Sequence, residues 1–317
     1  MSALGIQGML AIGANPAQAA QMFRIASKSI MGRPEEYNQF ILNNYSRSIK
    51  GDASIQAAIA DGLHWSAEDS IGEFGMDLGD TPNKILYNKF SKAAKISKGA
   101  DLSNQHFSRT GNLMRYMMYQ QALEGSTWHK NIAQLTRGGK APALRELNQK
   151  DRRDLIQVIN EATGWSKGKP KDIESALLFA PRFFKSQLNI LAKAVKGGTP
   201  ANQYAGDLIV RTVALGSFFT IAMNEMRGKH TDMNPIKTTI DGNLYYNTNF
   251  MRIKDVGGAD LSVFGPWDTL ASMLTMAFTD GPASITKRTL EYKASPASSL
   301  MIDIFRGRNF GGQEVFR

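Results

Sequence analysis

Apolar residues return at three- and four-residue steps over most of the first 230 positions, the spacing that gathers them on one face of an α-helix. Ile25, Ile30, Phe40, Ile41, Tyr45 and Ile49 follow it. So do Leu113, Tyr116, Met117 and Leu123 with Gln120 in phase, and Leu155, Ile156, Ile159 and Ala162. Glycines at 51, 62, 125, 138, 139, 164, 197 and 198 fall where these runs stop, and predict helix ends. Asp80-Thr81-Pro82 and Asp151 supply turn or capping residues at the joints. No repeat of fixed period is present, and no heptad runs long enough for a coiled coil.

Between Ile236 and Phe264 the period shortens. TTIDGNLYYNTNFMRIKDVGGADLSVF holds short β-type runs separated by Asp241-Gly242 and Gly257-Gly258, which predicts a small hairpin or meander. Pro266 then precedes a short helix through Leu270, Leu274 and Phe278, and Pro282 and Pro296 divide the rest. The closing RGRNFGGQEVFR cannot build a core alone and is expected to dock on something else. The expected fold is mainly α, an extended multi-helix assembly subunit with a small β-hairpin or meander near residues 236–264. Three regions follow: a helical N-terminal region over 1–165, a basic linker with apolar helices over 166–235, and a small β element, short helices and extended tail over 236–317.

The strongest apolar segment is Leu208–Met226, LIVRTVALGSFFTIAMNEM, whose uncharged core runs from Thr212 to Asn224. Those 13 residues fall short of the ~20 that a bilayer-spanning helix needs. In water the segment reads as a buried core helix, with insertion open to it once partners cover Arg211 and Glu225. Leu208, Val213, Leu215, Phe218, Phe219 and Ile221 are its candidate assembly or membrane residues. The uncharged run Leu4–Ala14 imitates a secretory signal faintly. It lacks a basic start and is broken by Gly5, Gly8 and Gly13, so no cleaved signal is expected.

Charge separates the regions further. The net charge of +10 is carried almost wholly by residues 101–200, which hold 16 basic and 8 acidic groups; residues 1–100 hold 10 and 9, and residues 201–317 hold 12 and 11. Within the basic stretch, Arg145, Arg152, Arg153, Lys167, Lys169, Lys171, Arg182, Lys185 and Lys193 are interleaved with Trp165, Phe179, Phe183 and Phe184. Cations displayed with nearby aromatics suit non-specific DNA or anionic lipid. The competing reading makes Phe183, Leu188, Leu191 and Val195 the core face of a helix whose lysines are merely solvated. No motif for sequence-specific nucleic-acid recognition is present.

Candidate chemistry is sparse. Zero cysteines and four histidines, His64, His106, His129 and His230, argue against a metal centre, and no cofactor is expected. HExxH, GxSxG and a strand-linked GxGxxG are all missing. Gly164–Pro170, GWSKGKP, is one residue short of a phosphate loop and puts Pro170 where the magnesium-binding hydroxyl belongs. Glu68, Asp69, Glu73, Asp77 and Asp80 lie among glycines and read as a solvated acidic turn rather than paired catalytic carboxylates. Glu174-Ser175 resembles the start of a lytic transglycosylase motif, but the Gly-Leu-Met-Gln element does not follow.

One longer pattern carries a resemblance. Ala176–Val195, ALLFAPRFFKSQLNILAKAV, is followed by the apolar helix, the DGNLYYNTNFMRIKDVGG strands, SVFGPWDTL at Ser262–Leu270, and SPASSLMIDIFRGRNFGG at Ser295–Gly312. In this order residues 170–312 resemble the C-terminal region of tailed-bacteriophage virion proteins, including internal ejection proteins and large polyvalent proteins. Residues 1–165 resemble no such family. The resemblance implies a protein in the head interior or at the portal or tail, reaching the host periplasm or envelope at infection. It implies a homo-oligomer, with portal, tail or other internal virion proteins, non-specific DNA and the host membrane as partners.

Lack of cysteine and the adaptable methionines Met114, Met117, Met118, Met223, Met226, Met273 and Met276 suit such a chain. The leading expectation is therefore a non-enzymatic virion protein that helps genome delivery. A static head–tail or inner-capsid structural protein is the alternative, and a cell-wall-degrading enzyme or nuclease the third reading.

Overall fold

Asn15 turns the chain into a long helix by accepting a hydrogen bond from Gln18 N–H at 3.1 Å, with Pro16 at the first helical position. Ser54 and Asn148 do the same for later helices, accepting from Ala57 N–H and Asp151 N–H. The computed structural model describes residues 9–45, 54–65, 91–125, 142–167, 181–238, 242, 244–264 and 267–268. Its elements are α1 (Met9–Ala14), α2 (Pro16–Ile30), α3 (Glu35–Tyr45), α4 (Ile55–Ala60), α5 (Ser91–Glu124), a 3₁₀ turn at Leu144–Glu146, α6 (Gln149–Ala162), α7 (Pro181–Lys196) and α8 (Pro200–Glu225). After these come β1 (Ile236–Thr238), β2 (Leu244–Tyr246), β3 (Arg252–Val256) and β4 (Ala259–Ser262). The mainly α architecture with a small β element is the expected one.

The chain divides into two compact units, and the division falls inside α8. The first unit takes in α1 to α6, Arg182–Lys196 of α7 and α8 as far as Leu215. The second takes in α8 from Gly216 onward with the four strands. The residues grouped by sequence as a middle region, 166–235, are thus shared between both.

In the first unit α5 is the central helix. Every residue from Thr110 to Tyr119 is buried, and α1, α2, α4, α6 and the 3₁₀ turn all pack on it. Leu113, Tyr116, Met117 and Leu123 are buried on α5 and Leu155, Ile156, Ile159 and Ala162 on α6, as their spacing requires. Each such side chain, once removed from water, contributes on the order of 1.5–3 kcal/mol. α1 reaches α8 where Gly13 lies against Thr212; a Cβ at Gly13 would strike the Thr212 hydroxyl and backbone. α3 departs from expectation. Phe40 and Ile41 are only half-buried and Tyr45 is exposed, no described α3 residue is buried, and ion pairs from Arg24 and Lys28 to Glu36 tie the helix to α2.

Polar bonds join segments far apart in sequence. Tyr119 Oη donates to Asp61 Oδ2 at 2.7 Å, and Arg152 Nε donates to the same oxygen at 2.8 Å. Asn160 Nδ2 donates to Gly62 O at 3.0 Å while its Oδ1 accepts His64 N–H at 2.8 Å, tying the end of α4 to α6. Fully buried Arg115 donates from Nε to Thr163 Oγ1 at 2.7 Å and from Nη1 to Asn112 Oδ1 at 3.2 Å.

The second unit carries two separate antiparallel hairpins. β1 pairs with β2, Ile236 opposite Tyr246, and β3 with β4, Ile253 opposite Leu261. Gly257 and Gly258, at φ 63° and 85°, make the tight turn between β3 and β4 that the sequence predicts. A register break in β3 places Asp255 at φ 55°. The ladders do not merge into one meander, since Met251 N–H leaves for Asp232 O and Phe250 N–H closes a turn on Asn247 O.

Candidate functional site

Two surfaces come from the residues singled out by sequence: the basic positions of the first unit, and the outer faces of α7 and α8. Among the basic positions, Arg145, Arg153, Lys167 and Lys185 are exposed. Arg152 turns inward to Asp61 and Tyr119. Burial of Tyr119, followed by its bond to Asp61, pushes the phenol well above its ordinary range. Lys193 also turns inward, donating to Glu161 Oε2 at 2.7 Å. These two cations serve helix packing. Arg182 lies on α7 with its side chain outside the described residues, and Lys169 and Lys171 lie outside them altogether.

Of the stripe that reads as a core face, Leu188 and Val195 are exposed on α7, Leu191 is half-buried and the Phe183 side chain lies outside the described residues. Ser186, Gln187 and Ile190 are buried, whereas Leu188 is exposed and Val195 is 64% exposed. Glu161 supplies the physical reason. Its nearly buried carboxylate takes hydrogen bonds from Asn189 Nδ2 at 3.1 Å and from Lys193, which holds the polar side of α7 against α6. Neither polar atom of the buried Gln187 amide has a hydrogen-bond partner among the described residues. On the outward face Lys185 and Lys196 flank Leu188, Ala192 and Val195.

α8 changes character along its length. Thr199 caps it, accepting Asn202 N–H at 3.3 Å, and Pro200 begins it. Its N-terminal half is core: Ala201, Tyr204, Ala205 and Leu208 are buried, together with the ion pair of Asp207 and Arg211 one turn apart. From Thr212 onward the buried positions are Thr212, Gly216, Thr220 and Asn224, a small and polar stripe at four-residue steps. Gly216 is required there because a Cβ would come 2.6 Å from a ring carbon of Phe264. Asn224 Nδ2 donates to Thr231 Oγ1 and to Arg252 O, both at 2.9 Å, and its Oδ1 accepts Lys254 N–H at 2.8 Å.

The apolar side chains of this half point outward. Val213 and Phe219 are exposed, Phe218 is 72% and Met226 83% exposed, and Leu215 and Ile221 are half-buried. Of the six apolar candidates only Leu208 is core. Among the described residues α8 is the one helix long and apolar enough, by length and composition, to cross a membrane. Gly228, at φ 63°, ends it.

The hairpins neutralise their own charges. Lys237 and Asp232 pair at 2.6 Å, Lys254 and Asp260 at 2.7 Å, and Arg252 and Asp268 at 3.5 Å. The Lys237 hydrogen bond holds Asp232 down to about 2, and that of Lys254 lowers Asp260. Burial raises Asp268 and pushes Tyr246 up to about 12.

No described cluster has the geometry of a catalytic centre. His106 Nε2 lies 3.0 Å from Ser27 Oγ, but no described carboxylate orients the ring, which packs edge-on to Phe23 and joins α2 to α5. Burial lowers its pKa. No group of three or more potential metal ligands occurs among the described residues. The acidic turn at 68–80, Glu174, most of the Gly164–Pro170 loop's basic end and the 295–312 segment lie outside them.

Sequence periodicity missed the outward turn of the large apolar side chains on the far half of α8. The signal was present as Thr212-x₃-Gly216-x₃-Thr220-x₃-Asn224, a run that only a close-packed polar face requires. No protein-family model matches the chain, and no curated protein or solved structure matches it significantly.

Proposed function

We propose that the protein is a non-enzymatic virion component of a tailed bacteriophage, an internal or ejection protein that oligomerises and helps the genome pass the host envelope. The observation that carries this reading is the reversed polarity of α8 beyond Thr212, which turns Phe218, Phe219 and Met226 to the outside. A helix with that surface suits a subunit that completes itself against another surface. The resemblance of residues 170–312 to phage virion proteins supplies the biological setting. Exposed Arg145, Arg153, Lys167 and Lys185 provide cations for non-specific DNA contact. Partners on this reading are further copies of the chain, portal, tail or other internal proteins, and DNA.

Mass spectrometry of intact particles against particles emptied of DNA tests the proposal. The protein is expected in the first and depleted from the second. Equal amounts in both would replace delivery with a static head–tail or inner-capsid role, and absence from both would overturn the virion assignment. Cell-wall cleavage in a zymogram, abolished by Glu174→Gln, would instead favour the enzyme reading.

A further inference from the structure

We propose that the outward face of α7 is a docking seam for one helix of a protein partner, a helix that carries an apolar line with carboxylates along one edge. This deepens the proposed function by giving the chemistry of a protein partner, and rests on it only for where that partner is met. Every residue used lies within the first unit.

Among the described side chains of α7 the exposed ones are Lys185, Leu188, Ala192, Val195 and Lys196. Leu188, 39% exposed, Ala192, and Val195, 64% exposed, follow one another at steps of four and three, the alternation of a coiled-coil seam. At about 100° per residue they occupy roughly 60° of the helix circumference, against roughly 100° or more for a stripe that faces a broad core. A line that narrow matches the width of a single helix. It is too short to pair as a free coiled coil, but it is fixed in place. Ile190 is buried on the opposite side, and Glu161 holds Asn189 and Lys193. A partner therefore meets a preformed surface and does not have to order α7 on arrival.

Charge selects the partner. Lys185 and Lys196 stand beyond Ala192 on the same edge of the line, about 16 Å apart along the axis. Neither makes an ion pair or hydrogen bond with another described residue, whereas Lys193 on the inward side is held by Glu161. Charges flanking a seam set which helix pairs with it, and two cations three turns apart call for Asp or Glu three turns apart on the facing edge. A second copy does not supply them. Antiparallel pairing through the same seam would bring Lys185 beside Lys196 of the other copy, and parallel pairing would set Lys196 against Leu191, with no carboxylate in either case. Nucleic acid offers phosphate to the lysines but nothing to cover Leu188 and Val195. Seating in a bilayer takes a broad apolar face, which three side chains in one line do not make.

The test uses the full chain and fluorescein-labelled helical peptides read by anisotropy. One peptide carries leucines at the seam spacing and glutamates along one edge, a second has lysines in place of the glutamates, and a third keeps the glutamates but has serines for the leucines. The expected result is saturable binding of the first peptide alone. Lys185→Glu/Lys196→Glu should weaken it roughly tenfold or more and bind the second peptide instead, with an unchanged melting temperature because both lysines are exposed. Val195→Ser should weaken the first peptide several-fold while leaving the lysines in place. Equal binding of the third peptide would make the face a plain polyanion surface and overturn the seam. Binding that ignores the charge swap would place the peptide elsewhere, and no binding of any peptide would likewise overturn the inference. If the protein is depleted from emptied particles yet binds no peptide, the seam fails and the delivery reading stands; if it binds the acidic peptide through α7 but is absent from particles, the reverse holds.

Discussion

Leu155 on α6 and Phe218 on α8 are both large apolar residues on well-formed helices, yet the first is wholly buried and the second is 72% exposed. The α5–α6 region follows the rule for water. Its apolar stripe faces inward, and the guanidinium it buries, that of Arg115, is held by Thr163 and Asn112. The far half of α8 packs through Thr220 and Asn224 and leaves its apolar stripe outside. Periodicity therefore identifies a helix and its stripe, but the neighbour's chemistry decides which side of the stripe is the interior.

The contrast predicts a ranking of substitutions. Leu155→Ala should cost the most, about 2–5 kcal/mol from lost burial and a cavity, read as a fall in the urea midpoint with the slope retained. A loss below about 0.5 kcal/mol would remove α6 from the core. Asn224→Ala comes next. It strips the partner from Lys254 N–H and should destabilise by about 1–3 kcal/mol, with hydrogen exchange accelerated most at β3. A neutral result would mean that the polar side of α8 does not hold the hairpin.

His106 gives a smaller, pH-dependent effect that belongs to the α2–α5 region alone. Burial places its folded pKa below the ordinary 6.5, so the unfolded chain takes up a proton first. Stability is complete above 6.5 and is lost as pH falls through the lower folded value. His106→Gln should flatten that part of the stability profile; an unchanged slope would assign it to other groups. Phe218→Ser should do least in water, within about 0.5 kcal/mol of the parent. A loss as large as that of Leu155→Ala would show Phe218 to be core and end the comparison.

Much of the helical frame was legible because local physics writes it. Leu113 to Leu123 and Leu155 to Ala162 carry the helical period, and Gly62, Gly125, Gly164, Gly197 and Gly198 adopt the positive φ that ends a helix without strain. The Gly257-Gly258 turn was legible for the same reason. Contacts across long separations were not. Nothing local couples Asp61 to Arg152, so a cation grouped with the polyanion candidates became a helix tether. The placement of Leu188 and Val195 on α7 was open because their spacing is identical whether they face a protein core or the outside, and the bonds of Asn189 and Lys193 to Glu161 turn another side of α7 to α6. Of the candidate site, exposed Arg153, Lys167 and Lys185 were recoverable from charge, and the outward turn of Phe218 and Phe219 was not.

The central claim is that α8 is built for two environments, a protein interior up to Arg211 and an apolar exterior contact beyond it. Sedimentation velocity of the wild type and of Phe218→Ser/Phe219→Ser over a range of concentrations tests this most directly. The wild type should form larger species as concentration rises, and the double variant should stay at the size of one chain with an unchanged melting temperature. The same behaviour in both proteins would contradict the account.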